Sequence, residues 1–275
     1  MIPIDRFLQS TDSPLPGCLY RIFPIQRLLS VLRDRNNYLV SPALWQDPYE
    51  AAHLKVEIEH PLYGVEIDGL YHTRPKGPDT YVIGSQRQST NAAKNVYCQC
   101  WSTNPESDAM WRIYSPDFTG VKVQTNSELL FKSLQEAIPE EQWFLGRVDY
   151  LPQDALDREL ADIKANYLLQ VRPDTHKSGP FGELIARSLL KKRTQFSHEQ
   201  EFRVMIVRAG AKCLLDPPSV LSYPIDPNLL FEGIETDPRC PNHSNLERQL
   251  REAGYRGRIT QSALYRPPVL RGPTQ

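Results

Sequence analysis

The chain has 275 residues, 32 Lys+Arg against 33 Asp+Glu, a formal charge of −1 and 40% hydrophobic residues. That length and balance suit a folded protein with a sizeable core and exclude a disordered chain. Without a Lys/Arg excess they also exclude a general nucleic-acid binder, though not a local basic groove. The 24 Pro against 14 Gly depart from the usual ~5% and ~7%, and mark short elements joined by stiff turns.

From the N-terminus, a Pro-rich segment over 1–16 leads to Gly17, and residues 18–23 (CLYRIF) predict a short strand. Apolar residues at 25, 28, 29 and 32 give the helical period over 25–35, and Asn36-Asn37 breaks it. Residues 38–41 (YLVS) predict a second strand. Residues 42–95 are long and polar, with a strand candidate near 64–72. Residues 96–102 (VYCQCWS) predict a strand and 108–114 a short helix. A strand over 120–124, a helix over 126–138, a strand over 143–150 and a helix over 154–169 come next. The pattern over 183–192 predicts a helix ending in Lys191-Lys192-Arg193, whose charges would complement its C-terminal dipole. Residues 199–208 (EQEFRVMIVR) give the strongest strand signal, followed by a strand candidate at 230–234, a helix over 246–253 and a strand over 256–259. Helices and strands mingle without regular alternation, which predicts an α+β fold. A single domain is expected over 1–275, with an insertion over 51–95 and a Pro-rich tail over 261–275.

No run approaches the roughly 20 apolar residues that span a bilayer, so no membrane partner is expected. No basic region followed by an apolar run opens the chain, so no secretory signal is expected and a cytoplasmic location is. The five Cys (18, 98, 100, 213, 240) lack CxxC spacing and the six His are scattered, so reduced thiols and no metal are expected. Cys98 and Cys100 would share one strand face. The chain also lacks G-x-S-x-G, P-loop, G-x-G-x-x-G and H-E-x-x-H motifs.

The clearest constellation is Glu199-Gln-Glu201-Phe-Arg203. At the strand period Glu199, Glu201 and Arg203 share one face, and Phe202, Val204 and Ile206 the other. Two readings stay open: a sheet with a solvated side, or a cleft-facing strand with two carboxylates beside a guanidinium. Side by side, two carboxylates push at least one pKa up while the arginine pulls them down. His198 would point to the opposite face. Arg21, in Leu19-Tyr20-Arg21, is a surface residue or a fork for a phosphate or carboxylate. Trp45 and Tyr49 suit loop packing, Ser41 before Pro42 suits a turn, and Trp101, Trp111 and Tyr114 suit a helix anchored under a sheet.

In order, these pieces resemble a family of uncharacterised bacterial proteins. Its pattern is Leu-Tyr-(Arg/Lys)-Tyr, a strand ending Ser-x-Pro, an Asn-Asp-Pro-Phe-Glu-like motif, Met-Trp-x-x-Tyr and Tyr-Glu-x-Glu-x-Arg. The matching stretches here are 19–22, 40–50, 110–114 and 197–203, with Gln46 where Asn is usual and the 51–95 insertion added. The same order resembles the ADP-ribosyltransferase superfamily in its Arg–Ser–Glu form, with Ser41-Pro42-Ala43 standing where that form has Ser-Thr-Ser. The resemblance implies a split mixed or antiparallel sheet flanked by helices, and NAD+ as a substrate with no metal. It implies Glu201 as the carboxylate that stabilises the ribosyl cation and Glu199 as the group that orients or deprotonates the acceptor. It implies Tyr20 and Arg21 at the dinucleotide, Arg21 on the pyrophosphate. Ser41 would support the nicotinamide-side strand, with Tyr38 or Trp45 stacked on nicotinamide. The activity implied is transfer of ADP-ribose to a protein arginine or a nucleic acid, in a toxin, effector or phage-defence setting with an antitoxin or immunity partner. A glycohydrolase and a non-catalytic binding module on the same fold are the alternatives.

Overall fold

The computed structural model describes residues 7–8, 15–52, 54, 58–61, 64–67, 70–73, 87–90, 95–170, 178–208 and 217–268. Of the strands between 58 and 90, and of 164–170 and 178–181, it describes the backbone. Cys213, most of the 1–16 segment, much of the 51–95 insertion and the end of the 261–275 tail lie outside the described residues.

In chain order the elements are β1 (Phe7–Leu8), β2 (Leu19–Phe23), α1 (Ile25–Asp34), β3 (Asn36–Val40), β4 (Ile58–Pro61), β5 (Gly64–Ile67), β6 (Leu70–Thr73), β7 (Arg87–Thr90) and β8 (Val96–Ser102). Then come α2 (Asp108–Tyr114), β9 (Val121–Thr125), α3 (Ser127–Ala137), β10 (Trp143–Arg147), β11 (Asp149–Leu151), α4 (Gln153–Gln170), α5 (Ser178–Ser188), β12 (Lys191–Arg193) and β13 (Glu201–Val207). The last are β14 (Val220–Pro224), α6 (Pro227–Leu230), β15 (Gly233–Thr236), α7 (His243–Glu252) and β16 (Arg258–Gln261).

Local chemistry accounts for the helix ends. The side chains of Ser107, Asn126 and Asn242 accept from the backbone N–H groups of Met110, Leu129 and Asn245, capping α2, α3 and α7. Helix α1 turns its Leu28, Leu29, Val31 and Leu32 into the core, each worth about 1.5–3 kcal/mol of burial, and stops at Arg35 in the left-handed region.

Ten strands form a mixed sheet in the order β1-β10-β13-β8-β2-β9-β15-β16, with β3 and β14 off this path. The β1–β10 and β15–β16 pairs are parallel and the other pairs of this sheet are antiparallel. The sheet is α+β and mixed, as the sequence predicts, with helices on both faces. Leu residues of α1, α3 and α7 pack with Phe202, Val204 and Ile206 on one face. Ile185 and Ala186 of α5, with Leu189 just after it, pack with Met205 and Val207 on the other.

The sheet forks at β8. One edge of β8 pairs with β13 along its whole length, from Ser102 opposite Glu201 to Val96 opposite Val207. The other edge is shared: β2 holds only its end, Tyr20 opposite Ser102, and β3 holds it further back, Val40 opposite Cys98. Cys100 therefore sits where β2 and β3 part. A buried amide network ties β3 to the back of the fork. Gln99 Nε2 donates to Asn37 Oδ1 at 2.7 Å, Asn37 Nδ2 to the Tyr223 hydroxyl at 2.8 Å, and Trp101 Nε1 to Gln99 Oε1 at 2.9 Å. With each member partnered, the network fixes the strand spacing without a desolvation penalty.

One expectation fails for a long-range reason, and of the two readings left open for 199–203 the solvated side is excluded. The segment 191–193 is not a helix end: α5 stops at Ser188, and Lys191–Arg193 pairs in parallel with Asp149–Leu151. The charged face of β13 is not solvated: all seven of its residues are buried. The strand candidate at 230–234 also shifts, since Pro227 starts the short helix α6 and the strand begins at Gly233.

Candidate active site

A cavity of about 210 Å³ opens at the fork. Its walls are Tyr20, Arg21 and Ile22 of β2, Cys100, Trp101 and Ser102 of β8, Met110 and Tyr114 of α2, and the carboxylates Glu199 and Glu201. Sites for drug-sized ligands run from about 300 Å³ upward, so this volume suits one end of a dinucleotide rather than the whole of it.

The two carboxylates converge by a route that the strand period does not describe. Glu199 ends a 3-10 turn over Thr194–Glu199, and Gln200 takes left-handed dihedrals, φ 43° and ψ 54°. Only then does β13 start, at Glu201. A non-glycine residue in that region costs on the order of 1–3 kcal/mol, held here by its surroundings. Ser102 Oγ donates to the Glu199 carbonyl at 2.7 Å, and the Thr103 N–H donates to the Gln200 carbonyl at 2.9 Å. The Glu201 N–H donates to the Tyr150 hydroxyl at 2.9 Å.

Both carboxylates meet one ammonium. Lys192 Nζ lies 2.5 Å from Glu199 Oε2 and 2.6 Å from Glu201 Oε1, with Glu50 Oε1 at 3.4 Å. Arg203 Nε donates to Glu201 Oε2 at 2.7 Å, its Nη1 to the Leu189 carbonyl at 2.5 Å, and its Nη2 to Glu50. Three buried carboxylates therefore share two buried cations. Burial and the hydrogen-bonded neighbour Glu201 push Glu199 up to about 7, against the pull of Lys192. Burial pulls Glu201 the same way, but the Arg203 charge and hydrogen bond outweigh it and hold that carboxyl well below the usual range. Lys192 is raised: burial lowers it, and the charges of Glu201 and Glu50 more than reverse that. The pair is thus split into one carboxylate ionised at all ordinary pH and one that exchanges a proton near neutrality.

Across the cavity, the Arg21 guanidinium lies 4.7 Å over the Phe23 ring, and its Nη1 is buried with no hydrogen-bond partner among the described residues. Burial lowers its pKa. A buried, unpartnered guanidinium nitrogen is unusual in a folded protein and fits an anionic or carbonyl ligand. Tyr114 completes the wall, its hydroxyl donating to Glu199 Oε1 at 3.2 Å. Burial and then Glu199 raise that phenol's pKa, so it remains a donor. The helix bearing it is braced at its end by Arg239, whose Nη2 donates to the carbonyls of Trp111 and Ser115 at 3.0 Å each. Burial, then Glu201, raise the Cys100 thiol well above its usual value, which disfavours the thiolate.

Tyr20, Arg21, Glu199 and Glu201 are thus brought together. Tyr38, Ser41 and Trp45 are not among the residues that line this cavity. Tyr38 lies on β3 beneath the Arg27 guanidinium, 5.0 Å from its ring. Ser41 is buried and caps the 3-10 turn Pro42–Leu44, its hydroxyl accepting from the Ala43 N–H. Trp45 packs its ring 4.5 Å from the Arg203 guanidinium, behind the carboxylates. The Asp47-Pro48-Tyr49-Glu50 motif also works from behind: Asp47 pairs with Arg193 at 2.9 Å, and Glu50 with Arg203 and Lys192. Lys192, Glu50 and Tyr114 were missed as site residues by sequence reasoning. Their signals were the polar Asp-Pro-x-Glu loop and a Lys-Lys-Arg run whose middle residue turns inward at the strand period. Among the described residues no group of three or more His, Cys, Asp or Glu is arranged to hold a metal ion, and no helix is long and apolar enough to cross a membrane.

Residues 110–204, from the helix bearing Tyr114 to the strand bearing Glu201, match the family described as "Protein of unknown function (DUF2971)". No curated protein matches the chain. Among solved structures it is similar to Thermus sp. 2.9 DarT in complex with carba-NAD+, at 13% identity and TM-score 0.36 over 91% of this chain and 97% of that one. It is similar also to the same protein with NAD+ (12%, TM-score 0.37, 90% and 96%) and with ADP-ribosylated ssDNA (11%, TM-score 0.38, 92% and 97%).

Proposed function

We propose that this protein is a mono-ADP-ribosyltransferase that cleaves NAD+ at the nicotinamide–ribose bond and passes ADP-ribose to a macromolecular acceptor. One observation carries the reading: Arg21, whose buried Nη1 has no partner among the described residues, and a carboxylate pair with split protonation, Glu199 and Glu201, line the same cavity. The order Arg–Ser–Glu-x-Glu in the sequence supports it. Ser41 then serves as the cap that ends β3 rather than as a ligand contact, and Trp45 as the support of Arg203.

In the first half of the reaction the C1′–N bond breaks and its electron pair moves onto nicotinamide, which neutralises the pyridinium charge. The ribosyl group gains oxocarbenium character, as in glycoside hydrolysis. Glu201, always ionised, faces that positive charge, and such preorganised electrostatics is usually the largest catalytic contribution. Arg21 binds the pyrophosphate as a two-pronged donor. In the second half a nucleophilic atom of the acceptor attacks C1′, and its proton passes to Glu199, a base poised near neutral pH. The acceptor is a protein arginine or a nucleic-acid base.

The test uses NAD+ labelled separately on nicotinamide and on adenine, with protein and nucleic-acid acceptors offered in parallel. The expected result is release of nicotinamide together with adenine label on one acceptor. Free ADP-ribose as the only second product would replace the transferase with a glycohydrolase. NAD+ bound but intact would leave a binding module.

A further inference from the structure

Glu199 is surrounded by groups from several elements, and they divide unevenly. Tyr114 reaches it from α2, Glu201 from β13 and Lys192 from β12. Arg21 of β2 and Cys100 of β8 share the cavity, and Tyr150 of β11 binds the Glu201 backbone rather than a carboxylate. Arg203 commits its three donor groups to Glu201, Glu50 and the Leu189 carbonyl. Among the described residues, Lys192 is the cation within ion-pair distance of Glu199. Its ammonium is also the point where all three carboxylates meet. Fully ionised, the five groups carry one net negative charge in a buried space, and a single proton cancels it.

We propose that Lys192 is the positioning residue of this site: its ammonium, shared by Glu199, Glu201 and Glu50, aims both carboxyls into the cavity and fixes the cluster at one exchangeable proton, carried by Glu199. The inference rests on the role given to Glu199 under Proposed function and deepens it. Without the ammonium, Glu199 faces the Glu201 charge with no cation at contact distance among the described residues, and the proton stays on Glu199 to higher pH. With Glu50 neutralised, Lys192 serves two carboxylates rather than three, and the proton leaves Glu199 at lower pH. The two substitutions therefore act in opposite directions, which a general loss of packing would not produce.

The experiment is a pH titration of the Glu199 carboxyl by carbon-13 NMR in protein labelled at glutamate, the resonance being assigned with Glu199→Gln. Wild type, Lys192→Met, Lys192→Arg and Glu50→Gln are compared. The midpoint is expected to rise by about 1–3 pH units in Lys192→Met, as for removal of an opposite charge within contact distance. It should return most of the way in Lys192→Arg and fall below wild type in Glu50→Gln. Midpoints that stay put in both Lys192→Met and Glu50→Gln would overturn the proposal. If Lys192→Met does not fold, the direction of the Glu50→Gln shift decides. Transfer of adenine label to the acceptor, followed over the same pH range, should have an acid limb that moves with the NMR midpoint. A wild-type protein that releases no nicotinamide would sink the transferase reading, while the carboxyl titration would still judge Lys192.

Discussion

Replacing Glu201 with Gln is expected to lower the rate of nicotinamide release by about 10²–10³-fold, the usual cost of deleting one preorganised electrostatic group. The substitution keeps the side chain's volume and hydrogen-bonding length but removes the charge that faces the ribosyl cation. Lys192 retains Glu199 and Glu50 as partners, and Arg203 retains Glu50 and the Leu189 carbonyl, so the fold should survive. Glu201 is held ionised by the Arg203 charge, so the loss should be uniform across the pH range. Glu199→Gln should behave differently, flattening the acid limb of acceptor labelling at its low level rather than scaling nicotinamide release across the whole pH range. Steady-state rates at saturating and limiting NAD+ would check both. The loss should fall on kcat more than on KM, because the interaction belongs to the transition state. A loss of less than about tenfold would remove Glu201 from that role.

The second large effect is on stability. Arg203 is 1% exposed, its guanidinium packed against Trp45 and bonded to Glu201, Glu50 and the Leu189 carbonyl. Arg203→Met approximates its length but leaves the three buried carboxylates Glu50, Glu199 and Glu201 to share Lys192. Removing one partner from a buried ionic cluster costs about 3–5 kcal/mol, most of it the penalty of the charge left behind. In urea denaturation the midpoint should fall accordingly with an unchanged slope. Arg112→Met serves as the contrast, since that arginine pairs with Asp108 at the surface, 2.8 Å apart with both side chains at least half exposed. Its loss should cost at most about 1 kcal/mol. Equal effects in the two variants would contradict the buried cluster.

Much of this fold can be read from local sequence. The bounds of β8 and α2 follow directly from VYCQCWS and from Ser107 capping DAMWRIY. The helix over 25–34 follows from its apolar spacing. The charged residues at 199, 201 and 203 are legible as a unit, and so is Arg21. What stays hidden depends on partners far away in the chain. A Lys-Lys-Arg run after an amphipathic helix looks like a dipole-matched helix end. Pairing with residues 149–151 is what makes it a strand and turns Lys192 inward. The period-two rule brings Glu199 and Glu201 to one side, but the real cause is the left-handed Gln200 and the bonds that hold it. Trp45 and Ser41 have the composition of ligand contacts, yet their places are set by Arg203 and by the turn after β3. Nothing in their own neighbourhood distinguishes the two uses. Glu50 lies about 150 residues before Arg203 and only the folded chain joins them.

The most direct test is the position of NAD+ in crystals of the Glu201→Gln variant, where slow turnover should preserve the intact molecule. The expected result is the nicotinamide-ribose end in the cavity between Tyr20–Ile22 and the carboxylates, with C1′ facing position 201. The pyrophosphate should accept hydrogen bonds from Arg21, giving its Nη1 the partner it lacks among the described residues. NAD+ bound elsewhere with this cavity empty, or bound with Arg21 still unpartnered and the nicotinamide pointing away from position 201, would contradict the site.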